Sequence, residues 1–479
     1  MLSSHFLKNL LALFLLLVST ELWAATYYVA TNGNDPLGSG SQQSPWATIG
    51  YALGHLSSGD TLIVRPGTYT GKQNFISDRL NPFPGGTKGS YTLIKAETPF
   101  TVTIRNDGPG NYWDSLLGLG GNYIEVNGFI FDMVDTLYGS YVGNISGNYN
   151  KVRQSIFRRE GVEDTYGGWV SVGGSYNLLE DVAGVGTARY GFHTGGPNAT
   201  NGYNIFRRVV GRMDYSGSNQ PKSVFVHYGN NATGDSNHMV FQNCIALDSQ
   251  QPDLYGNPDG HKNGGLKINK EAANDIIQGS ITLNDENEIY TLVVQGSNHT
   301  IIDTVLWGSH LGNYGSILPK GFVDQASGTT VVRLTTGENE GGGNNTSRSD
   351  IQYLVMPNDP TKATILKRIG RSGTLYGEPG WNEVTSEDLW PWPNEDIIKA
   401  VFARPNDPPP GYTPPTNNTV RGFTVALDQF GAPMTLTRYI WQYLGHKIPD
   451  FVYGGGTVGG GATSPPQTAP PSATKLTVP

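Results

Sequence analysis

The feature that most constrains the fold of this 479-residue chain is a pattern that recurs between residues 115 and 307. Seven copies share an anchor followed by a short run of β-forming residues, and the anchors are Tyr123, Tyr149, Tyr176, Tyr203, His238, Asn274 and His299. Successive anchors are 26, 27, 27, 35, 36 and 25 residues apart. Repeats of this period bury their apolar face only against neighbouring copies, so the pattern predicts a solenoid.

The positions after each anchor predict which side chains enter the core. The third and seventh residues after the anchor are apolar in every copy, whereas the fourth is polar in every copy, from Asn127 to Asp303. We therefore expect the third and seventh columns to face inward and the fourth column to face solvent. A second strand precedes the anchors, and Gly- and Asn-rich turns separate the strands.

Two or three strands in each repeat of about 26 residues predict an all-β fold, a right-handed parallel β-helix. A leucine-rich repeat needs an L-x-x-L-x-L consensus that the sequence lacks, and the strands of a sandwich would not recur with fixed columns. Within the solenoid we expect Asn150, Asn177 and Asn204 to form a ladder of side chains. The anchor tyrosines are expected to stack on one another.

Both ends of the solenoid are expected to carry short capping helices, because a terminal repeat exposes its core. Residues 45–56 place Trp46, Ile49, Leu53 and Leu56 on one helical face, and a second apolar stripe lies within residues 436–444. The predicted organisation is a signal peptide over residues 1–25, the β-helix over 26–360, an extended segment and capping helix over 361–453, and a disordered Gly-, Pro- and Thr-rich tail over 454–479.

Residues 1–25 have the composition of a secretory signal peptide, with Lys8, an apolar core over residues 10–18 and Ala24 or Ala25 at the cleavage point. No other run is apolar enough to span a membrane. Cys244 is the only cysteine, which excludes an internal disulfide, and an exported protein without disulfides indicates a bacterial source. We expect Cys244 to be a small buried core residue, and the protein to be secreted or held at the cell surface.

The charge distribution predicts the kind of ligand. A net charge of −8 argues against a general nucleic-acid binder. Residues 184–230 nevertheless contain five Lys or Arg against one acid, and a locally basic groove suits a polyanion. The longest inserts, 211–222, 229–237 and 249–263, surround the same rungs, and inserts on one face of a solenoid commonly form its binding face.

Alternation along the strands beside these inserts predicts a row of outward side chains. With Val224 and Val226 facing inward, the row contains His193, His227 and Lys267. Neighbouring rungs lie ~4.8 Å apart, so the row would span about 10 Å. The residues expected at the loop ends beside the row are Arg189, Lys222, His261 and Lys262.

Such a row suits β-elimination on a polymer of uronic acids. This reaction removes a proton alpha to a carboxylate, so it needs a base and a positive group that stabilises the carbanion-like state. Lys267 is the expected base, because nearby cations or desolvation lower the pKa of a lysine. Arg189 or a histidine, His193 or His227, is the expected electrostatic partner. Lys222, His261 and Lys262 would then contact the acidic polysaccharide.

The first strands carry a resemblance to a known family. The segments Tyr27-Tyr28-Val29, Asn32-Gly33-Asn34-Asp35, Ser44-Pro45-Trp46-Ala47-Thr48-Ile49 and 59–69 resemble the opening of secreted bacterial β-helix proteins of the pectate-lyase-like superfamily. The resemblance implies the parallel β-helix fold and export. The superfamily includes polysaccharide lyases, hydrolases, epimerases and non-catalytic surface proteins, so it implies no single function.

A second segment sharpens the resemblance. Residues Gly265-Leu266-Lys267-Ile268-Asn269 resemble the strand of family 9 polysaccharide lyases that carries an exposed lysine in a Gly-x-Lys context. Those lyases hold calcium with nearby aspartates, so the resemblance implies calcium ligands at Asp248, Asp253 and Asp259. The chain departs from that family at Pro258-Asp259-Gly260, where a paired Asp-Asp-Gly would stand.

The same residues have other interpretations. Lys267 is also compatible with a solvated surface lysine, the histidines with packing, and the aspartates with turn formation. A non-catalytic β-helix of the cell surface or matrix is the main functional alternative. A hydrolase is the third, and it needs convergent carboxylates, whereas Asp164, Asp181, Asp248 and Asp259 do not share a column.

Overall fold

The computed structural model describes residues 24–108, 114–134, 140–160, 167–195, 202–215, 223–228, 238–247, 264–283, 290–307, 320–337, 366–403, 427, 431–443 and 452–453. In these ranges, strands of successive coils pair in parallel and in register. Val152, for example, pairs with Val126 of the preceding coil and Leu179 of the following one. The predicted parallel β-helix is confirmed.

The strands form a large sheet of 17 strands, a small sheet of nine strands and one antiparallel pair. The large sheet contains β1 (Thr26–Val29), β2 (Thr61–Val64), β3 (Gly67–Thr70), β5 (Thr92–Ala96), β6 (Val102–Arg105), β8 (Ile124–Asn127), β9 (Phe129–Met133), β11 (Lys151–Arg153), β12 (Ile156–Arg159), β14 (Leu178–Thr187), β16 (Ile205–Tyr215), β18 (Val240–Gln242), β19 (Ile245–Leu247), β21 (Ile276–Gln278), β22 (Ile281–Leu283), β24 (Thr300–Trp307) and β26 (Thr330–Gly337). The small sheet contains β4 (Ile76–Ser77), β7 (Leu117–Leu119), β10 (Tyr141–Ile145), β13 (Gly168–Val172), β15 (Tyr190–Gly195), β17 (Ser223–Tyr228), β20 (Gly264–Ile268), β23 (Tyr290–Val294) and β25 (Lys320–Asp324). The antiparallel pair is β27 (Lys367–Ile369) with β28 (Val384–Asp388).

Each repeat turns at a residue in the left-handed region of backbone space. The corner residues have φ between 55° and 66°, and they are Tyr123, Tyr149, Tyr176, Tyr203, His238, Asn274 and Asn298. The last corner is therefore Asn298 rather than the predicted anchor His299. Asparagine enters this conformation readily because its short polar side chain bonds locally. The third residue of that copy is consequently Ile301, which pairs with Ile277.

The predicted asparagine ladder is present behind the corners. The side-chain oxygens of Asn150, Asn177 and Asn204 each accept a hydrogen bond from a backbone N–H of the preceding coil, at 2.8–2.9 Å. Outside the ladder, the rings of the four corner tyrosines and His238 stack with centroids 4.7–5.0 Å apart. Both features satisfy or bury groups that the tight corners would otherwise expose.

The interior of the coils is a continuous apolar core. It contains the third column, for example Val126 and Phe206, together with Trp169 from the small sheet. Cys244 is buried as predicted, and its thiol contacts the carbonyl oxygen of Phe206 at 3.2 Å. Burial raises the pKa of this thiol to about 12, so Cys244 behaves as a core residue.

The predicted inward orientation of the seventh column is wrong. Its members, Ile130 to Val305, belong to a second apolar cluster on the outer face of the large sheet. That cluster is completed by Trp390, Trp392 and residues of two C-terminal helices. An apolar column is buried either by the coil interior or by another segment, and periodicity alone does not distinguish these cases.

The predicted solvent exposure of the fourth column is also wrong over its central copies. Glu180, Arg207 and Gln242 are fully buried. They lie beneath the segment of residues 369–382, which hydrogen-bonds to all three of them. A charged column is buried at tolerable cost when every group finds a partner.

Three short α-helices and one 3-10 helix (Lys72–Asn74) accompany the sheets in the described ranges. Helix α1 (Ile49–Leu53) follows the N-cap Thr48 and packs Ile49, Ala52 and Leu53 into the core, as predicted for the N-terminal end. Helices α2 (Glu395–Phe402) and α3 (Leu436–Tyr443) pack on the outer face of the large sheet. This placement differs from the end cap expected for the C-terminal helix. Among these helices none is long and apolar enough to cross a membrane.

Candidate functional site on the small sheet

The outer face of the small sheet contains a row that joins two of the predicted site residues. In the strand register, His193 on β15 pairs with Val226 on β17, and Val226 pairs with Lys267 on β20. His193 and Lys267 are thus two strands apart, or about 10 Å at the usual strand spacing. His193 is half-buried, and Lys267 is only 7% exposed.

The predicted outward orientation of His227 is wrong, because Val226 occupies its place in the row. The inward position next to it is taken by Phe225, whose ring stacks on Phe192 with centroids 5.5 Å apart. Val224, Phe225 and Val226 are all apolar and all buried, so alternation does not define the faces of this strand. Shifting the assigned inward positions by one residue moves every side chain of the strand to the opposite face.

His227 instead belongs to a polar group inside the coil. Its Nδ1 lies 2.7 Å from Oδ2 of Asp275 and donates to it, since a carboxylate only accepts. The other oxygen of Asp275 accepts the backbone N–H of Met239 at 2.8 Å. His299 continues the same ladder, because its Nδ1 accepts the N–H of Asp275 at 3.2 Å. All three side chains are shielded from solvent, which separates them from any extended ligand on the outer face.

Three tyrosine rings surround His193 on the outer face. We call the four residues Tyr141, Tyr190, His193 and Tyr228 the ring cluster. The His193 ring stacks on Tyr190 at 5.4 Å and on Tyr141 at 6.0 Å, and it meets Tyr228 edge-on at 6.3 Å. Gly168 on the intervening strand leaves room for these rings. A Cβ atom there would lie 2.7 Å from Tyr141 Cε1 and 1.7 Å from the carbonyl oxygen of Tyr190.

Arg189 adds a cation to the ring cluster. Its guanidinium lies 4.6 Å from the centroid of the Tyr190 ring, and Nη2 donates to the Tyr190 hydroxyl at 3.1 Å. The backbone of Arg189 is held by both neighbouring coils, since its N–H donates to Gly167 and its carbonyl accepts from Ser223. The predicted proximity of Arg189 and His193 is therefore present.

Burial keeps the rings of His193 and Tyr190 neutral. Burial, together with the nearby Arg189 and His227, lowers the pKa of His193 to about 3. Burial also raises the pKa of Tyr190, an effect that Arg189 partly offsets. At neutral pH the cluster therefore presents an unprotonated imidazole at His193 and a protonated phenol at Tyr190 beside the Arg189 guanidinium.

The remaining predicted site residues lie outside the described residues: Lys222, His261, Lys262, Asp248, Asp253 and Asp259. The predicted calcium ligands thus stay a prediction. In the described ranges, no group of three or more His, Cys, Asp or Glu side chains is arranged to hold a metal ion. Asp181, considered for a hydrolase, forms a salt bridge to Arg208, with Oδ1 at 2.6 Å from Nε.

Sequence reasoning did not identify the tyrosines of the ring cluster. Tyr190 follows Arg189 directly and precedes His193 by three residues, so this short segment was the available signal. Tyr141 and Tyr228 carry no local signal, because only the stacking of coils brings them to His193. Ser171 joins the cluster in the same way, with its hydroxyl 3.4 Å from His193 Nδ1.

No family model matches the chain, and no curated protein matches it. Several solved structures are similar in fold. Pectate lyase Pel9A is 17% identical, with a TM-score of 0.40 over 76% of this chain and 90% of that chain. The family 6 polysaccharide lyase Pedsa3628 from Pseudopedobacter saltans is 13% identical, with a TM-score of 0.39 over 65% and 86% of the two chains. An alginate lyase from Paenibacillus sp. str. FPU-7 is 11% identical, with a TM-score of 0.39 over 67% and 99%. Similarity at this level identifies no reaction, substrate or catalytic residue in this chain.

Proposed function

We propose that this chain is an exported polysaccharide lyase that cleaves a uronic-acid-containing polymer by β-elimination. The observation that carries this proposal is the alignment of His193 and Lys267 on one outer row of the small sheet. Arg189 and the ring cluster lie at one end of that row, and the lysine lies at the other. A cation-bearing surface along stacked strands suits an extended polyanion.

In the proposed reaction, Lys267 is the base. Its neutral amine takes the proton from the carbon that bears the carboxylate, and the electrons of that bond form a double bond to the adjacent carbon. The bond from that adjacent carbon to the glycosidic oxygen breaks, and the oxygen takes up a proton from solvent while the Lys267 ammonium releases the abstracted proton to solvent. The products are an unsaturated uronate and a new chain end, and no oxidant or water is consumed.

The proposal is tested by incubating the purified protein with pectate, alginate and glycosaminoglycans while recording the ultraviolet absorbance of unsaturated uronate. We expect product from at least one polymer and loss of product, by two orders of magnitude or more, in Lys267→Ala. Lys95→Ala is the matched control, because Lys95 is a half-buried lysine on β5 of the large sheet. Unchanged product formation in Lys267→Ala would remove this residue as the base. Absence of product from every polymer, together with binding to cell-surface material, would favour the non-catalytic β-helix.

Calcium is a separate part of the proposal. Asp248, Asp253 and Asp259 precede Lys267 by fewer than twenty residues in the chain, and carboxylate oxygens are the ligands that calcium prefers. A bound calcium ion would neutralise the substrate carboxylate. We expect loss of product with a chelator, recovery with calcium and not with magnesium, and loss of calcium binding in Asp253→Asn. Full activity in the presence of the chelator would exclude this role.

Export is proposed from residues 1–25. Expression of the full chain in a bacterial host is expected to yield a processed protein that begins at Ala25 or Thr26, next to the small residues at the predicted cleavage point. Amino-terminal sequencing of the released protein provides the measurement. An unprocessed protein retained inside the cells would contradict the proposal.

A further inference from the structure

The ring cluster and Lys267 occupy different parts of the outer face. Tyr190 lies three residues before His193 on β15, and the register pairs Tyr190 with Ser223 rather than with Val226. Arg189, which directly precedes Tyr190, is therefore displaced from Lys267 along the strands as well as across them, whereas His193 lies in the row of Lys267. This placement lets Arg189 and Lys267 contact different units of an extended polymer.

The composition of the cluster resembles that of a ligand pocket more than that of a core. Its three tyrosines and His193 present ring faces and edges, and three of these four residues are half-buried on the outer face. The charged group beside them is Arg189, also half-buried. Aromatic walls with a few convergent polar groups are typical of small-ligand sites.

We propose that Arg189 and the ring cluster form a subsite that binds one uronate unit of the polymer at a distance from the reacting bond. The inference rests on the proposed function for its choice of polymer. The guanidinium of Arg189 would pair with the carboxylate of that unit through parallel hydrogen bonds, a geometry that a lysine amine does not reproduce. The sugar ring would lie against Tyr141 or Tyr228, the half-buried tyrosines.

The neutral state of His193 supports this role. Because burial holds its pKa near 3, the imidazole offers an acceptor nitrogen to a sugar hydroxyl instead of a second positive charge. Ser171 lies at hydrogen-bonding distance from Nδ1 and can orient the ring. The subsite thus combines one cation for the carboxylate with neutral polar groups for the hydroxyls.

The first experiment measures binding without cleavage. In the Lys267→Ala background, binding is titrated calorimetrically with oligomers of the polymer that gives product, or with oligogalacturonate if none does. We expect Arg189→Gln to weaken binding roughly ten- to one-hundredfold, as the loss of a charged hydrogen-bonding pair implies. Arg189→Lys should recover only part of the loss, and a methyl-esterified oligomer should bind equally weakly to both proteins. Arg65→Gln, which removes the same charge beside Glu97 on another coil, should leave binding unchanged.

The second experiment separates binding from chemistry. In the otherwise unchanged enzyme, we expect Arg189→Gln and Tyr228→Ala to raise KM while kcat stays within about threefold, the signature of an interaction made equally in ground and transition states. Tyr176→Ala on the corner stack is the matched control. A fall in kcat with unchanged KM would place Arg189 at the reacting bond and overturn the subsite. Equal binding by the Arg189→Gln protein and its parent would overturn it as well.

Failure of the subsite and failure of the proposed function give different results. Cleavage with normal binding in the cluster variants would reject the subsite alone. Absence of cleavage with a tenfold loss of binding in Arg189→Gln would reject the lyase and keep the subsite. If Arg189→Gln does not fold, as judged by circular dichroism, Tyr228→Ala and His193→Gln carry the same tests, because both residues are half-buried on the outer face.

Discussion

The two outer faces of the same coils differ in how they handle charge. On the large sheet, the fourth-column residues Glu180 and Arg207 are fully buried and are bonded to each other at 3.0 Å. The segment of residues 369–382, which we call the covering segment, lies over them. Arg207 also donates to carbonyl oxygens of this segment, among them that of Trp381 at 2.9 Å. Beside the small sheet, Arg189 stays half-buried, with its guanidinium over the ring of Tyr190. Within the described residues, the arginine of the large sheet is covered by a C-terminal segment of the chain, whereas Arg189 keeps part of its surface exposed.

Structural charges in this solenoid are recognised by bonding capacity that the protein itself fills. Around Glu180, the carboxylate accepts from Arg153 at 2.8 Å, Gly373 at 2.9 Å and Ser372 at 3.2 Å. Such saturation leaves no bonding capacity for a ligand, and it fixes the C-terminal segment to the coils. In the ring cluster, Tyr141, His193 and Tyr228 each keep part of their surface exposed. Function is therefore expected on the small sheet and stability on the large one.

The substitution with the largest expected effect on stability is Glu180→Gln, on the large sheet. It leaves the buried guanidinium of Arg207 without its carboxylate partner, so the free energy of unfolding should fall by about 3–5 kcal/mol. Denaturant unfolding followed by tryptophan fluorescence measures the loss, since Trp381 lies in the covering segment and Trp390 packs on the outer face of the same sheet. The control is Arg371→Gln, which breaks an exposed pair with Glu383 and should have little effect. Equal losses in the two variants would contradict a structural role for the buried network.

Acid titration probes the same network without mutation. Burial alone would raise the pKa of Glu180, but Arg208, Arg153 and Arg207 together lower it to about 2. A carboxylate whose pKa is lowered on folding stabilises the protein above its unfolded pKa, and this contribution is lost as pH falls from about 4.5 to about 2. The loss amounts to ~3 kcal/mol for the network.

The measurement for this prediction is the difference in stability between wild type and Glu180→Gln as a function of pH. We expect the difference to be constant from neutral pH to about pH 5 and to shrink below it, because the variant lacks the titrating group. A difference that stays constant down to the acid limit of the measurement would show that Glu180 is not the group responsible.

The asparagine ladder lies inside the coils, between the two sheets. Removing one of its members should have an intermediate effect on the free energy of unfolding. Asn177 accepts the N–H of Asn150 at 2.8 Å and donates to the carbonyl of Gly147 at 3.0 Å. Asn177→Ala leaves both backbone groups buried and unsatisfied, and should cost about 2 kcal/mol of unfolding free energy. Asn148→Ala is the matched control on the outside of the corner, where water can replace the bond to Ser175. An equal cost for both variants would argue against the ladder as a source of stability.

Much of this architecture is predictable from the sequence, because the repeat imposes the same contacts on every coil. The period, the third column, the corner tyrosines and the asparagine ladder all follow from residues that recur at fixed offsets, and burial of Cys244 follows from its column. The position of the last corner was predicted one residue late, since both Asn298 and His299 fit the pattern of the earlier copies. The corner residue is Asn298, because asparagine is favoured in a backbone conformation with positive φ.

The errors have a common physical cause. Periodicity reports that a side chain is buried, but not which element buries it. The seventh column is apolar because α2 and α3 pack on it, and the fourth column is charged because the covering segment supplies partners. Likewise, three consecutive apolar residues at Val224 to Val226 concealed which face of β17 is inward, so His227 was assigned to the outer row. The ring cluster arises only when coils stack, and no single segment contains it.

The smallest expected effect on stability is that of a substitution on the small sheet, His193→Gln. His193→Gln removes a half-buried ring that stacks on two tyrosines, so the free energy of unfolding at neutral pH should fall by only about 1 kcal/mol. A histidine whose pKa is lowered on folding destabilises the protein as pH falls below its unfolded value, here from about 6.5 towards about 3. The variant should therefore lose less stability than wild type over that range.

His238 and His299, whose pKa values burial also lowers, titrate in both proteins. Their contribution cancels in the difference between wild type and His193→Gln, which is measured by thermal unfolding at a series of pH values. A large loss of unfolding free energy at neutral pH, comparable to that of Glu180→Gln, would mean that the ring cluster stabilises the fold as the buried network on the large sheet does. The contrast between the two faces would then disappear, and with it the physical reason for placing a ligand on the small sheet.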